Sequence, residues 1–291
     1  MIKHFQYLTP KTVQETLALL SQYKEEAKIM AGGQSLLLIM KQGLFSPEYL
    51  LDIKGISNLD YINYKEKEGL RIGALTEHRT LEKSPIIQKH YKVLSEMEGN
   101  LALIQTRNWG TIGGDLCHGD PAGDPPIVLI ALKAKLKIAS LDHERIIDIE
   151  EFTMDYFEVN LEPHEMLIEI QVPTPPSHTG TAHEKLMVMK GDMGIVGAAV
   201  SITLSPEDGI CMDARIALSN AASVPLRIRK AEKLLIGKKI NNDLLTEAGQ
   251  VASEEADPPN DVHGSEEYRR EMVKVFVRRT AKKALERAQA G

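Results

Sequence analysis

The sequence predicts an α+β protein of two domains, and three features of the chain support this. Before residue 173, short apolar runs alternate with helix-like segments, as expected where helices cover a sheet. Residues 173–176 read Pro-Thr-Pro-Pro, a composition that favours an extended connection. Three strand-like runs with short turns then precede three helical segments, which predicts an antiparallel sheet packed against helices.

Helix and strand signals divide the first domain into short elements. Thr9-Pro10 is expected to cap a helix, because proline fits the first helical position and Val13, Leu17 and Leu20 then share one face. Ser35 is expected to cap a helix that follows a strand at 28–31. Further strands are predicted at 49–53, 70–74, 135–139, 145–149 and 166–172, and further helices at 76–83 (capped by Thr76), from Ser84-Pro85, at 91–103 and at 127–132.

The second domain changes from strands to helices. Ser265 and the acidic residues after it mark the start of its last helix, and basic residues enrich the later turns, as the helix dipole favours. Strands are predicted at 184–189, 195–204 and 213–219, and helices at 225–235, 242–255 and about 265–288.

Two glycine-rich stretches indicate where a ligand binds. Residues 31–35 place two glycines and a serine between a strand and a helix, a pattern that suits a phosphate cradle. A tight turn explains this stretch taken alone more simply. Residues 108–124 hold five glycines together with aspartates, more than a structural turn needs. Neither stretch fits the G-x-G-x-x-G fingerprint or a P-loop, so a Rossmann or P-loop site has little support.

Charge and hydropathy exclude some classes of protein. The formal net charge is −6, from 35 basic and 41 acidic side chains, which argues against non-specific binding to nucleic acid. The first residues lack the apolar core of a signal peptide, and no apolar run is long enough for a membrane span. We therefore expect a cytoplasmic protein.

Cysteines and histidines give no metal-site pattern. Cys117 and Cys211 are too few for the four thiolates of an ordinary iron–sulfur cluster. His178 and His183 lack cysteine or carboxylate partners at metal-site spacing, so we interpret them as solvated or core histidines and predict no metal. His118, inside the longer glycine stretch, could face a ligand, although a surface position explains it equally well.

Residues 31–35 (Ala-Gly-Gly-Gln-Ser) and 107–115 (Arg-Asn-Trp-Gly-Thr-Ile-Gly-Gly-Asp) resemble the two flavin loops of a known family. This is the FAD-binding medium subunit of the molybdenum hydroxylases, the carbon monoxide dehydrogenase / xanthine dehydrogenase family. The resemblance continues through residues 119–124, 217–220 and 261–270, and so covers essentially the whole chain.

The resemblance implies a fold and a domain division. Residues 1–176 would form a PCMH-type (vanillyl-alcohol-oxidase-like) FAD-binding domain of two α/β subdomains, at about 1–56 and 57–176. Residues 177–291 would form a C-terminal domain of the carbon monoxide dehydrogenase flavoprotein type. That domain combines a three-stranded antiparallel sheet with a helix bundle.

The resemblance also implies how FAD is held. Backbone N–H groups of both loops would bind the pyrophosphate, with the Ser35 and Thr111 hydroxyls as further donors. Asp124 would accept hydrogen bonds from the ribityl or flavin side, Leu167 would lie near the flavin, and Lys185 would approach the ring edge. The implied cofactor-binding residues are Ala31, Gly32, Gly33, Gln34, Ser35, Thr111, Ile112, Gly113, Gly114, Asp115, Asp124, Leu167 and Lys185.

Two of these residues depart from the family pattern. Gln34 stands where many members carry histidine, and Asp115 stands where most carry asparagine. A carboxylate at residue 115 would place negative charge near the cofactor. That charge would lower the flavin potential or weaken FAD binding, so the asparagine-type contact is in question.

The function implied by the resemblance is electron transfer within a molybdenum hydroxylase complex. A large partner would hold molybdopterin, a small partner would hold [2Fe–2S] clusters, and FAD in this chain would pass electrons to an external acceptor. A dimer of heterotrimers is implied, and no residue of this chain is expected to act as a catalytic acid or base. Two alternatives are a non-catalytic assembly subunit and a stand-alone NADPH-dependent flavin reductase of similar fold.

Overall fold

A computed structural model describes residues 3–291, and its first sheet is small and parallel. Strands β1 (Gln6–Leu8), β2 (Ala27–Met30) and β3 (Tyr49–Asp52) pair in the order β1-β3-β2. Helix α1 (Val13–Tyr23) connects β1 to β2 and buries Leu17 and Leu20 against the sheet. A parallel pair needs such a crossover connection.

The second sheet is antiparallel and has five strands in the order β4-β5-β10-β6-β7. Helices cover it, and a small hairpin, β8 with β9, stands apart from it. The strands are β4 (Ile62–Lys65), β5 (Gly69–Gly73), β6 (Lys135–Ala139), β7 (Glu144–Asp148), β8 (Thr153–Asp155), β9 (Glu158–Val159) and β10 (Met166–Val172). Helix α2 (Leu36–Lys41) lies between β2 and β3 of the first sheet. The helices between β5 and β6 are α3 (His78–Lys83), α4 (Pro85–His90), α5 (Lys92–Glu98), α6 (Ile104–Arg107), α7 (Ile112–His118) and α8 (Asp124–Ala131).

The third sheet is antiparallel, as predicted, and carries a helix layer. The strand predicted at 184–189 is β11 (Thr179–Leu186), which begins and ends earlier because its pairing with β12 (Val196–Leu204) runs from Thr179 to Leu186. Strands β12 and β13 (Cys211–Ser219) lie where they were predicted, and the two-residue strand β14 (Leu226–Arg227) adds an edge. Helices α9 (Arg229–Leu235), α10 (Asn242–Glu255) and α11 (Glu266–Ala290) follow.

Helix α8 joins the second and third sheets through a shared core. All eight of its residues are buried, so it has no solvent-facing side. It packs against β12 and β13, and Ala199 and Ala217 of those strands belong to the same apolar cluster as Ile127 of α8. The opposite face of the third sheet packs against α11. A helix that is apolar all round is expected at such a fully enclosed position.

Three predicted helix caps are wrong in detail. Thr12, not Thr9, caps α1, and its side chain accepts a hydrogen bond from the Glu15 N–H. Ser35 occupies the capping position of α2, but its side chain makes no capping bond. Thr76 is buried against Tyr61, so Glu77 precedes α3 instead. Ser84 caps α4 as predicted.

The helix predicted at 91–103 is also wrong, because it ends at Glu98. Ala102 has φ +41°, which an α-helix does not allow. The carbonyls of Leu101 and Ala102 accept hydrogen bonds from the Arg107 guanidinium instead of continuing the helix. The helix predicted at 225–235 loses its first residues to β14 for a similar reason, since pairing with β13 satisfies that backbone.

Within the described residues, none of the helices is long and apolar enough to cross a membrane.

Replacing Arg269 by methionine is expected to lower the free energy of unfolding by about 3 kcal/mol. Arg269 is fully buried, pairs with Asp261 at 2.7 Å and donates to the carbonyls of Ile195 and Gly264. Methionine would leave the Ile195 carbonyl without this donor and would remove the ion pair with Asp261. Denaturant unfolding measures the change, and Arg278→Met, on the exposed side of the same helix, is the control with a change below about 0.5 kcal/mol. Equal changes in the two variants would contradict the expectation.

Candidate functional site

The two glycine stretches meet backbone to backbone. A Cβ atom added to Gly32 would lie 2.0 Å from the Trp109 carbonyl oxygen and 2.8 Å from the Gly110 Cα. Only glycine permits this approach. Gly33, with φ +69°, turns the chain back toward α2. The Lys54 ammonium lies 3.4 Å from the centre of the Trp109 ring and fixes the outer side of the contact.

The first loop offers open hydrogen-bond donors. Among residues 3–291, no group accepts a hydrogen bond from the backbone N–H groups of residues 32–35. The Gln34 side chain donates to the Gly32 carbonyl at 3.3 Å, which closes the loop on itself. Successive unpaired N–H groups in a tight loop form a concave site for an anion.

The second loop is different, because its central part is the helix α7. Thr111 caps this helix, and its hydroxyl accepts from the Gly114 N–H at 3.2 Å. The N–H groups of Ile112, Gly113 and Asp115 donate to carbonyls of Thr76, Ala74 and Thr111. The amides of residues 112–115 are therefore already used, contrary to the expectation that they hold a pyrophosphate.

Thr111 and Gly114 nevertheless face the first loop. The Cβ position of Gly114 lies 3.7 Å from the Ala31 Cβ and 2.9 Å from the Thr111 Oγ1. A larger side chain at Gly114 would therefore enter the space between the loops. The Thr111 hydroxyl accepts one bond and keeps its own proton free to donate.

A buried charge cluster lies where α8 begins. Lys185 Nζ donates to Asp124 Oδ2 at 2.6 Å and to the Asp192 carbonyl at 3.1 Å. His183 Nε2 lies 3.4 Å from Asp124 Oδ1, and neither atom has a hydrogen-bond partner in the described part of the chain. The Asp124 and Lys185 side chains are only 2% and 4% exposed. Burial alone would raise the pKa of Asp124, but His183 and Lys185 outweigh it and lower that pKa.

A second buried cluster lies beneath α7. His78 Nδ1 lies 2.9 Å from Glu98 Oε2, and His78 Nε2 lies 3.8 Å from Asp115 Oδ2. Burial opposes a charged imidazole, yet the neighbouring Glu98 and Asp115 carboxyls raise the pKa of His78. Burial raises the pKa of Asp115 to about 7, although His78 acts in the other direction.

Leu167, His118 and the two cysteines, which the sequence analysis singled out, have side chains that pack within the fold. The Leu167 side chain belongs to the apolar core between the sheet and its helices, 4% exposed, so only its backbone is available to a ligand. His118 is half-buried and packs on Phe157, and burial lowers its pKa. Burial raises the pKa of Cys117 to about 12 and that of Cys211 to about 11, which leaves both thiols unreactive.

The sequence interpretation missed His78, Glu98 and His183. A usable signal existed for His183, because it lies two residues before Lys185 in a strand and therefore on the same face. His78 and Glu98 are 20 residues apart on two short helices, and only the fold brings them together. Glu98 carries no sequence sign of its partner, because its helix also contains the charged residues Lys92 and Glu96.

Comparison with known families gives two matches that together span most of the chain. Residues 3–175 match the FAD binding domain in molybdopterin dehydrogenase. Residues 182–284 match the CO dehydrogenase flavoprotein C-terminal domain.

Similar proteins match over nearly their full length. The chain is 37% identical to the 6-hydroxypseudooxynicotine dehydrogenase complex subunit alpha of Paenarthrobacter nicotinovorans, covering 98% of this chain and 96% of that protein. It is 35% identical to the carbon monoxide dehydrogenase medium chain of Afipia carboxidovorans, covering 98% of each. Among solved structures, carbon monoxide dehydrogenase from Hydrogenophaga pseudoflava lacking the Mo-pyranopterin moiety of its molybdenum cofactor matches with a TM-score of 0.95, 36% identity and 99% coverage of both chains.

Proposed function

The chain belongs to the FAD-binding medium-subunit family of the molybdenum hydroxylases, and from this premise we propose that it transfers electrons within such a complex. It is an oxidoreductase subunit, as its relatives are dehydrogenase subunits. FAD would accept electrons from [2Fe–2S] clusters of a small partner subunit and deliver them to an external acceptor. A large partner would hold the molybdopterin cofactor where substrate is oxidised, and the complex would be a dimer of heterotrimers.

The observation that carries this proposal is the donor set of the two apposed loops. The open amides of residues 32–35 and the free Thr111 hydroxyl proton fit the oxygens of the FAD pyrophosphate. Asp124 Oδ1, buried without a hydrogen-bond partner in the described residues, fits a donor of the ribityl chain or flavin. Both fits concern polar atoms that the protein itself leaves unsatisfied.

This chain would position FAD and shape its electrostatics, while FAD itself supplies the redox chemistry. Lys185 is the buried cation of the site, and its charge favours negative charge nearby. Asp124 holds the Lys185 ammonium in place, and the Asp192 carbonyl gives it a second fixed acceptor. The Leu167 side chain closes the core beneath and excludes water from that side.

We assign the thirteen cofactor-binding residues and the domain division on the same basis. The connection at 173–176 separates the second sheet from the third, which supports domains at 1–176 and 177–291. The first and second sheets support subdomains near 1–56 and 57–176. Since the amides of residues 112–115 are occupied, Gly114 is assigned through its close approach to Ala31 and Asp115 through its carboxyl, while Ile112 and Gly113 are assigned as the buried support of this turn.

The cofactor content of the purified chain tests the proposal. We expect about one FAD per chain, seen as a flavin absorption spectrum and identified after denaturation. Gly114→Val should lose it, because the added side chain enters the space between Thr111 and Ala31. Gly55→Ala is the matched control, since no atom of the described residues lies within 4 Å of the Cβ position there.

Two other results would overturn the proposal. A chain that binds no FAD, alone or beside an iron–sulfur and a molybdenum subunit, would indicate an assembly subunit. Reduction of an enol or carbonyl substrate by NADPH with the isolated chain would indicate a stand-alone reductase.

A further inference from the structure

We propose that the chain takes up one proton when it binds FAD, and that Asp115, held above the buried pair His78–Glu98, receives it. The inference rests on the proposed function, because it concerns how this chain binds the same cofactor. It is carried by the position of Asp115 beside two buried side chains, His78 and Glu98, to which the proposed function assigns no role.

The three side chains, Glu98, His78 and Asp115, form a line that begins in the core and ends at the partly exposed Asp115. Glu98 is fully buried and bonds His78, which is 3% exposed, at 2.9 Å. Asp115 lies at the outer end with its side chain 26% exposed, 3.8 Å from the second imidazole nitrogen. Glu98 Oε1 has no hydrogen-bond partner within the described residues, so His78 is the only side chain there that bonds this carboxyl group.

Charged groups from each neighbouring element act on this line. Asp115 faces His78 of α3, Glu98 of α5, and the carboxylates of Asp120 and Asp124 near the start of α8. One imidazole therefore faces four carboxyl groups here, Asp115 included, and only Asp124 among them is paired with Lys185. An additional negative charge is costly at such a position.

The Arg107 guanidinium also faces His78. Its guanidinium already donates to Glu82 and to the Leu101 and Ala102 carbonyls. Arg107 therefore adds little charge compensation at Asp115.

Charge balance decides which group takes the proton. The Glu98 and Asp115 carboxyls raise the pKa of His78 and so favour its charged form, and Glu98 bonds the imidazole at 2.9 Å. Burial raises the pKa of Asp115 to about 7, so the carboxyl is divided between its two forms at neutral pH. Asp115 is thus the group that a nearby change of charge shifts most easily.

The pyrophosphate of FAD brings two negative charges to the adjoining loops. Asp115 follows Gly114 directly, and the Gly114 Cβ position lies 3.7 Å from Ala31 of the first loop. An ionised carboxyl there repels the diphosphate, whereas a protonated carboxyl donates one hydrogen bond to it. Binding therefore selects the protonated form and draws a proton from solvent.

The dependence of FAD affinity on pH tests this inference. With binding confined to the protonated form, the Kd of the FAD-free chain for added FAD should be about tenfold higher at pH 8 than at pH 6. Calorimetry in two buffers of different ionisation heat should show uptake of about half a proton per FAD at pH 7. Carbon-13 NMR of the Asp115 carboxyl, without FAD, should show its titration near pH 7.

Two variants make the comparison specific. Asp115→Asn should remove both the pH dependence and the proton uptake, because the amide does not titrate. Asp142→Asn, on an exposed turn, should behave as the unaltered chain.

These measurements distinguish failure of the proton-uptake inference from failure of the proposed function. Binding of FAD with equal affinity at pH 6 and pH 8 and no proton uptake overturns this inference and leaves the proposed function intact. Absence of FAD binding, with Asp115 titrating near pH 7, overturns the proposed function and the coupling that depends on it. These readouts on the unaltered chain do not require any variant to fold.

Discussion

Alanine at Gly32 is expected to eliminate FAD binding, and this is the largest effect that a single methyl group should have on the site. The new Cβ would lie 2.0 Å from the Trp109 carbonyl oxygen and 2.8 Å from the Gly110 Cα. Both are backbone atoms, so rotation of a side chain cannot relieve the clash. The two loops must separate, and the donors of residues 32–35 then no longer face Thr111.

Flavin absorbance per chain measures this effect, with Gly55→Ala as the matched control in open space. Circular dichroism and thermal unfolding should show that the Gly32 variant keeps its sheets, because the contact joins two loops outside the strands. Retention of FAD at the level of the control would show that the loops do not meet as described.

Alanine at Asp124 is expected to lower the free energy of unfolding by about 3–5 kcal/mol, because it leaves Lys185 as a buried charge without its partner. The Lys185 side chain is only 4% exposed, and its remaining bond is to the Asp192 carbonyl. Lys185→Met should cost less than Asp124→Ala. The reason is that His183 still faces Asp124 when the lysine is removed.

Urea unfolding of the FAD-free chain measures both changes. The control is Glu68→Gln in the Lys65–Glu68 pair, whose side chains are 71% and 45% exposed, so solvent screens the pair and the change should be small. A loss at Asp124 no larger than at Glu68 would show that water reaches the Lys185 ammonium.

Much of the fold could be predicted because its signals are local. The strands at 135–139 and 166–172 and the helix at 242–255 have the bounds that the apolar pattern indicated. Caps were less predictable, because Thr9, Thr12 and Thr76 are all acceptable capping residues and tertiary contacts choose between them. Short strands such as β1 and β14 were missed, since pairing with a distant strand stabilises them rather than their own pattern.

In the candidate site, too, some features have a local sequence signal and others depend on tertiary contacts. Glycines reveal their loops in the sequence, because a close backbone approach at Gly32 leaves no alternative residue. The state of Asp115 could not be predicted, because it depends on His78 and Glu98 from two other helices. The occupied amides of residues 112–115 were equally hidden, since two of their four acceptors are the carbonyls of Ala74 and Thr76 on a distant segment.

The position of helix α8 limits which segments of this chain can be replaced by those of a related chain. Its first residue, Asp124, meets Lys185, and its Ile127 lies 3.3 Å from the Cβ position of Gly197, so one helix is fitted to both halves of the chain. A recombinant that joined residues 1–176 of this chain to the remainder of a relative would pair α8 with a foreign sheet. Compatible hybrids must therefore inherit α8 together with β11, β12 and β13, which ties the cofactor site to the sheet interface.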